Sequence, residues 1–100
     1  MKPVKYHPLA ESELVESARF YEQRRPFLGN DFLDSIRETL TTIRGNPELG
    51  KPGKFQTRSW KVRRFPFRVV YLDRPGDTWI VAIAHLSRRP DYWADRIRYK

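Results

Sequence analysis

The chain has 100 residues, no cysteine and a formal net charge of +8, which fits one compact domain over residues 1–100 and excludes disulfides, thiolate zinc sites and cysteine nucleophiles. Hydrophobic residues make up 39% and aromatics 14%, so the composition is that of a folding chain and not of a disordered one. No apolar run approaches a membrane span, and Met1-Lys2-Pro3-Val4-Lys5 enters polar sequence without a signal-peptide core; a soluble cytoplasmic protein without a membrane partner is expected.

Val4-Lys5-Tyr6-His7 alternates apolar and polar residues and stops at Pro8, so it reads as a short first strand at a sheet edge. Pro8 suits the start of a helix. From Leu9 to Arg24, Leu14, Ala18 and Tyr21 recur at helical spacing, with Glu11, Glu13, Glu16 and Glu22 assigned to the solvated side. The segment from Arg25 to Asn30 breaks that helix. Asn30 or Asp31 is then placed to cap a second one carrying Phe32, Ile36, Leu40 and Ile43, which Gly45-Asn46-Pro47 ends. The short link predicts an antiparallel helical hairpin.

Residues 47–57 are rich in turn formers, after which the periodicity becomes that of strands. Trp60-Lys61-Val62-Arg63-Arg64 alternates apolar and basic residues. Phe67 to Leu72 is β-branched and aromatic, and Trp79 to Ala84 is almost wholly apolar, with Arg74-Pro75-Gly76-Asp77 as the turn between them. The last strand is expected at the centre of the sheet, covered on both faces, and Pro90 to Arg98 as a short terminal helix. The predicted class is α+β, in the order βααβββ, with a helical hairpin on a small, mostly antiparallel sheet.

Charge is divided unevenly along the chain. Residues 1–50 carry seven Lys or Arg against eight Asp or Glu, whereas residues 51–100 carry thirteen against four. A net of +9 in the second half, interleaved with aromatics on predicted strands, points to a polyanion or an acidic protein as partner. The sequence contains no metal-ligand cluster and no glycine-rich phosphate loop, and no cofactor is expected.

Taken together, Glu13-Leu14, Phe20-Tyr21-Glu22, Leu28-Gly29-Asn30-Asp31-Phe32-Leu33, Pro47, the segment from Val62 to Tyr71, and the set His85, Arg88, Pro90, Tyr92, Trp93 and Arg96 resemble toxins of the RelE/ParE superfamily, above all its ParE-like plasmid stabilisation branch. The resemblance covers nearly the whole chain. It implies the toxin half of a type II toxin–antitoxin pair, with a cognate antitoxin as partner. Growth inhibition would follow either from metal-free cleavage of messenger RNA on the ribosome or from binding DNA gyrase; a degenerate member that only binds its antitoxin is the third reading.

Metal-free RNA cleavage requires a base for the ribose 2′-OH, an acid for the leaving oxygen, and cations against the charge building on phosphorus. His85, Tyr92 and Arg68 are the candidate catalytic residues. Arg68 is assigned because its segment resembles the stretch where ribonuclease-type members carry a phosphate-binding arginine. His85 is assigned because an imidazole transfers protons near neutral pH. Lys61 and Arg63, two residues apart on a strand, are expected to form a basic pair on one face for RNA or a partner. Arg88 and Arg89 offer guanidinium forks to phosphate or to an antitoxin carboxylate. Trp93 is assigned to pinning the tail on the sheet, and Trp60, Phe65, Phe67 and Trp79 to packing. RNA cleavage is the leading expectation and gyrase binding the alternative.

Overall fold

A computed structural model describes residues 1–98. Strand β1 (Val4–Tyr6) leads into helix α1 (Pro8–Arg24) and helix α2 (Leu28–Gly45), and the chain continues through β2 (Lys51–Pro52), β3 (Arg58–Lys61), β4 (Phe67–Asp73), β5 (Thr78–His85) and α3 (Ala94–Arg98). The sheet order is β1-β5-β4-β3-β2. β1 pairs with β5 in parallel, and every other pairing is antiparallel. The expected edge position of β1 is found, and β5 is an interior strand between β1 and β4, with β4 in the middle of the sheet.

Two layers meet at the sheet. Phe32, Ile36 and Ile43 of α2 and Ala10 of α1 pack with Phe67, Val69, Tyr71, Ile80 and Ile83. Phe32, Phe65 and Phe67 interlock with Tyr21 as edge-on and tilted ring pairs at 4.9–6.3 Å between centroids, the geometry that aromatic quadrupoles favour. On the opposite face Val70, Trp79, Val81, Ala82 and Trp93 form a second cluster, joined by Ile97 and Ala94 of the tail. Helices therefore cover one face and the C-terminal segment part of the other.

The entry to α2 differs from its sequence prediction. The helix starts at Leu28, and the residue before it, Phe27, adopts a left-handed φ of 71° without a side-chain cap of its own. The cap comes from α1 instead: the Glu22 carboxylate accepts the Phe27 and Gly29 amides at 3.0 Å each, which satisfies orphan donors at the helix start and places a negative charge at its positive end. At Gly29 the two helices approach closely, since a Cβ there would lie 2.6 Å from the Ala18 carbonyl oxygen. Glu22 is thus no mere solvated residue.

A second difference is a bulge in β5. Val70 faces Ala82 while Tyr71 faces Ile80, so Val81 is an extra residue on β5. The bulge re-phases the side chains: Val81 and Ala82 both join the tail-side cluster, and Ile83 returns to the helix side. It also turns the Val81 carbonyl and the Ile83 amide toward the edge of β5 left uncovered beyond Ile80, where the pairing with β1 ends. The segment read as turn-rich carries β2 as well, a strand too short to show a periodicity. No described helix is long and apolar enough to cross a membrane.

Candidate functional site

A cavity of about 340 Å³ opens on the face of the sheet opposite α1 and α2, between the β2–β3 region, the outer side of β4 and the loop after β5. Arg68, His85, Arg88, Arg89 and Tyr92 all line it, so five of the seven site residues predicted from sequence converge. Lys51 and Arg58 add positive charge to its wall. The carboxylate among its lining residues, Asp91, is engaged by Lys54 at 3.3 Å.

Alternation along β4 sends Arg68 to the cavity side while Phe67 and Val69 enter the core. Its guanidinium is anchored on the neighbouring strand: Nε donates to Ser59 Oγ at 2.9 Å and Nη2 to the Ser59 carbonyl at 3.2 Å. Asp73, at the far end of β4, pairs with Lys2. His85 closes β5, packs edge-on against Phe67 at 5.0 Å, and accepts the Ser87 amide at Nδ1 (3.0 Å), with Ser87 Oγ 2.7 Å from the same nitrogen. Accepting at Nδ1 assigns the neutral ring its proton at Nε2. Arg88 lies over the Tyr92 ring, 3.9 Å from its centroid, a cation–π contact that fixes a cation at the cavity rim.

Tyr92 is held differently from a free acid. Its hydroxyl donates to Glu13 Oε2 at 2.7 Å. Burial first, and then the Glu13 carboxylate, raise its pKa well above the usual phenol value. The remaining two predicted residues lie elsewhere. β3 ends at Lys61, whose ammonium donates to the carbonyls of Val62 and Phe65 at 2.7 and 2.8 Å and so closes the following loop. The chain then turns through Arg64 at φ 73°, and Arg63 reaches Glu38 of α2 at 3.5 Å. The strand alternation that would put Lys61 and Arg63 on one face does not extend that far.

Glu13 is the residue that sequence reasoning assigned to solvent and the structure places at the centre. Arg96 grips it with two parallel bonds, Nη1 to Oε1 at 2.9 Å and Nη2 to Oε2 at 2.7 Å. The Ile83 amide donates to Oε1 at 3.0 Å, and Arg96 also donates to the Val81 carbonyl at 2.9 Å. The pair thus caps the open edge created by the β5 bulge and ties α1, β5 and α3 together. Burial acts to raise the Glu13 pKa, but the bonds from Arg96, Tyr92 and Ile83 outweigh it, and the carboxyl sits below its ordinary value. One sequence signal marks it: Glu13 falls one helical turn after the fully buried Ala10, at the border of the apolar stripe.

The chain, a helical hairpin on a mixed five-stranded sheet with a cation-lined cavity on the sheet's other face, is a toxin of the RelE/ParE superfamily. Within it, residues 4–90 match the family described as ParE toxin of type II toxin-antitoxin system, parDE, and the chain belongs to that family. In fold it is similar to a chain of the chromosomal ParDE TA system from P. aeruginosa, with a TM-score of 0.63 and 16% identity over 87% of this chain and 98% of that one. No curated protein matches it in sequence.

Proposed function

We propose that the chain is the toxin of a type II toxin–antitoxin pair, neutralised by a cognate antitoxin, and that it arrests growth by binding DNA gyrase without cutting RNA. The observation that carries this reading is the state of Tyr92. Its hydroxyl donates to Glu13 and its pKa is raised, so as an acid it would have to surrender a proton from a half-buried network that also fixes the tail. Lys61 and Arg63, the cations expected to hold RNA, serve a loop closure and an ion pair with α2. The family match to ParE toxins over residues 4–90 supports the same direction.

A ribonuclease remains the second reading because Arg68, His85, Arg88 and Arg89 surround one cavity. The two separate in a single experiment. The protein is induced in cells and messenger RNA is followed by primer extension, with a purified gyrase supercoiling assay alongside. Blocked supercoiling with intact messages is the expected result. Discrete new 5′ ends that disappear in His85→Ala, with gyrase unaffected, would overturn the gyrase reading in favour of cleavage. Absence of any growth arrest would leave only antitoxin binding.

A further inference from the structure

The hairpin joining β2 to β3 turns through Lys54-Phe55-Gln56-Thr57. The Thr57 amide donates back to the Lys54 carbonyl at 3.1 Å, and φ is 58° at Phe55 and 64° at Gln56, the geometry of a type I′ turn. Both central positions of that turn need a left-handed φ, for which Asn and Gly are preferred, and a residue with a bulky side chain is strained there. Here they hold a phenylalanine and a glutamine. Phe27, Arg64 and Asp91 also have positive φ, but singly; Phe55 and Gln56 are the one consecutive pair among the described residues.

Packing among the described residues does not offset the strain. Phe55 belongs to neither buried cluster and is 46% exposed. The turn beneath it is nonetheless firmly held. Thr57 is buried, its Oγ1 donates to the Lys54 carbonyl at 2.7 Å, and the Gly53 amide donates to the Thr57 carbonyl at 2.8 Å. Lys54 is tied to Asp91 at 3.3 Å. An aromatic ring is thus presented on a rigid, convex tip, so little conformational freedom is lost when a partner seats it. Strained backbone that its surroundings hold in place clusters at functional positions, and one aromatic anchor can carry much of an interface's energy. A convex ring needs a concavity opposite, which a folded protein supplies. The exposed Lys51 and Lys54 close to it in the hairpin favour carboxylates at the rim of that pocket.

We propose that Phe55, on the tip of the β2–β3 hairpin, is the anchor with which the toxin docks into an apolar, acid-rimmed pocket of its target enzyme. The proposal rests on the gyrase reading and adds the contact surface to it. The test measures gyrase supercoiling and thermal melting with the full chain and its variants. Phe55→Asn/Gln56→Gly supplies the favoured turn pair, so it is expected to melt about 4 °C or more above the parent, while the concentration needed for half-inhibition rises about tenfold or more. Gln56→Gly, which relaxes the turn and keeps the ring, should melt above the parent and inhibit like it. Lys54→Met, which keeps the stem and removes the charge, should inhibit several-fold less well. A photoreactive benzoylphenylalanine in place of Phe55 should crosslink to gyrase, and one in place of Phe20, which is 50% exposed on α1, should not. A stabilised double variant that inhibits like the parent, a Lys54→Met protein without loss, or a crosslink from position 20 alone would each overturn the proposal and give the tip to another partner, the antitoxin included. A parent chain that leaves supercoiling untouched would overturn the gyrase reading and this contact with it, so the parent alone tells the two failures apart.

Discussion

Replacing Glu13 by Ala should be the most damaging polar substitution in the molecule. Its side chain and that of Arg96 are 17% and 10% exposed, so solvent screens the pair little. Removing the carboxylate leaves the Arg96 guanidinium with the Val81 carbonyl as its remaining hydrogen-bond acceptor among the described residues, and leaves the Tyr92 hydroxyl and the Ile83 amide without their acceptor. Truncating one member of a buried pair costs about 3–5 kcal/mol, a large part of a total stability of roughly 5–15 kcal/mol. At about 4–8 °C per kcal/mol for a domain of this size, the melting temperature falls by roughly 12 °C or more. Urea denaturation reads the loss as a lower midpoint at an unchanged slope. Glu13→Gln, which retains an acceptor oxygen, should lose about 1–3 kcal/mol, and the double variant Glu13→Leu/Arg96→Met should recover much of the Ala loss because no buried charge is left unpaired. The pH dependence has a definite sign. The Glu13 pKa is depressed in the folded state, so its contribution is complete above the unfolded value of about 4.3 and is lost as pH falls through the lower folded value. A Glu13→Ala protein within about 1 kcal/mol of the parent would refute the assignment of this pair as the tie between α1, β5 and the tail.

Other substitutions test separate joints of the fold. Gly29→Ala would drive a methyl to 2.6 Å from the Ala18 carbonyl oxygen, and the helices must part at a cost of about 1–3 kcal/mol, measurable by thermal unfolding. Phe27→Gly relieves a left-handed φ of 71° at a residue that is 71% exposed; the gain from strain outweighs the added chain entropy by roughly 0.5–1 kcal/mol, and a destabilised variant would refute the strain argument. His7 caps α1 by accepting the Leu9 amide at Nδ1, 3.0 Å away, which requires the neutral ring. Burial, then the charge of Arg96, lower its pKa. Stability from this cap is therefore complete above the unfolded histidine value of about 6.5 and declines as pH falls through the folded one, an acid-side loss that His7→Ala should not show.

The elements were legible in the sequence wherever a period ran long enough to declare a face. α2 shows its apolar stripe through Phe32, Ile36 and Ile43, and β4 is declared by its β-branched and aromatic residues from Phe67 to Leu72. What escaped was set by contacts between distant residues. The two-residue β2 exists through its pairing with β3, the start of α2 depends on a carboxylate donated by α1, and the β5 bulge hides inside an unbroken apolar run that has no alternation to interrupt. The site was legible as a list of cations with His85, since residues near the ends of adjacent strands β4 and β5 meet when those strands pair. It was not legible which cations remain available. Lys61 and Arg63 carry the same charge as Arg88 and Arg89, and only the turn after β3 commits them elsewhere.

The tail gives the last test, because it lies past residue 90, where the family match ends, yet its residues complete both the fold and the cavity. Trp93 is 6% exposed against Val70, Trp79, Val81 and Ala82, Arg96 holds Glu13, and Asp91, Tyr92 and Trp93 form one wall of the site. A chain truncated after Pro90 loses the burial of a large aromatic, worth roughly 1.5–3 kcal/mol, together with the partner of a buried carboxylate, worth about 3–5 kcal/mol. It also exposes the apolar patch under the tail. The truncated protein is expected to melt far below the parent and to bind a hydrophobic dye. Loss of the proposed gyrase inhibition on such a deletion would therefore report unfolding before it reported a lost contact. The exposed pair Arg88 and Arg89 separates the two effects: Arg88→Ala/Arg89→Ala should melt within a few degrees of the parent, so that any fall in inhibition is assigned to the surface itself. A truncated chain as stable as the parent would show that the tail covers the sheet without holding it.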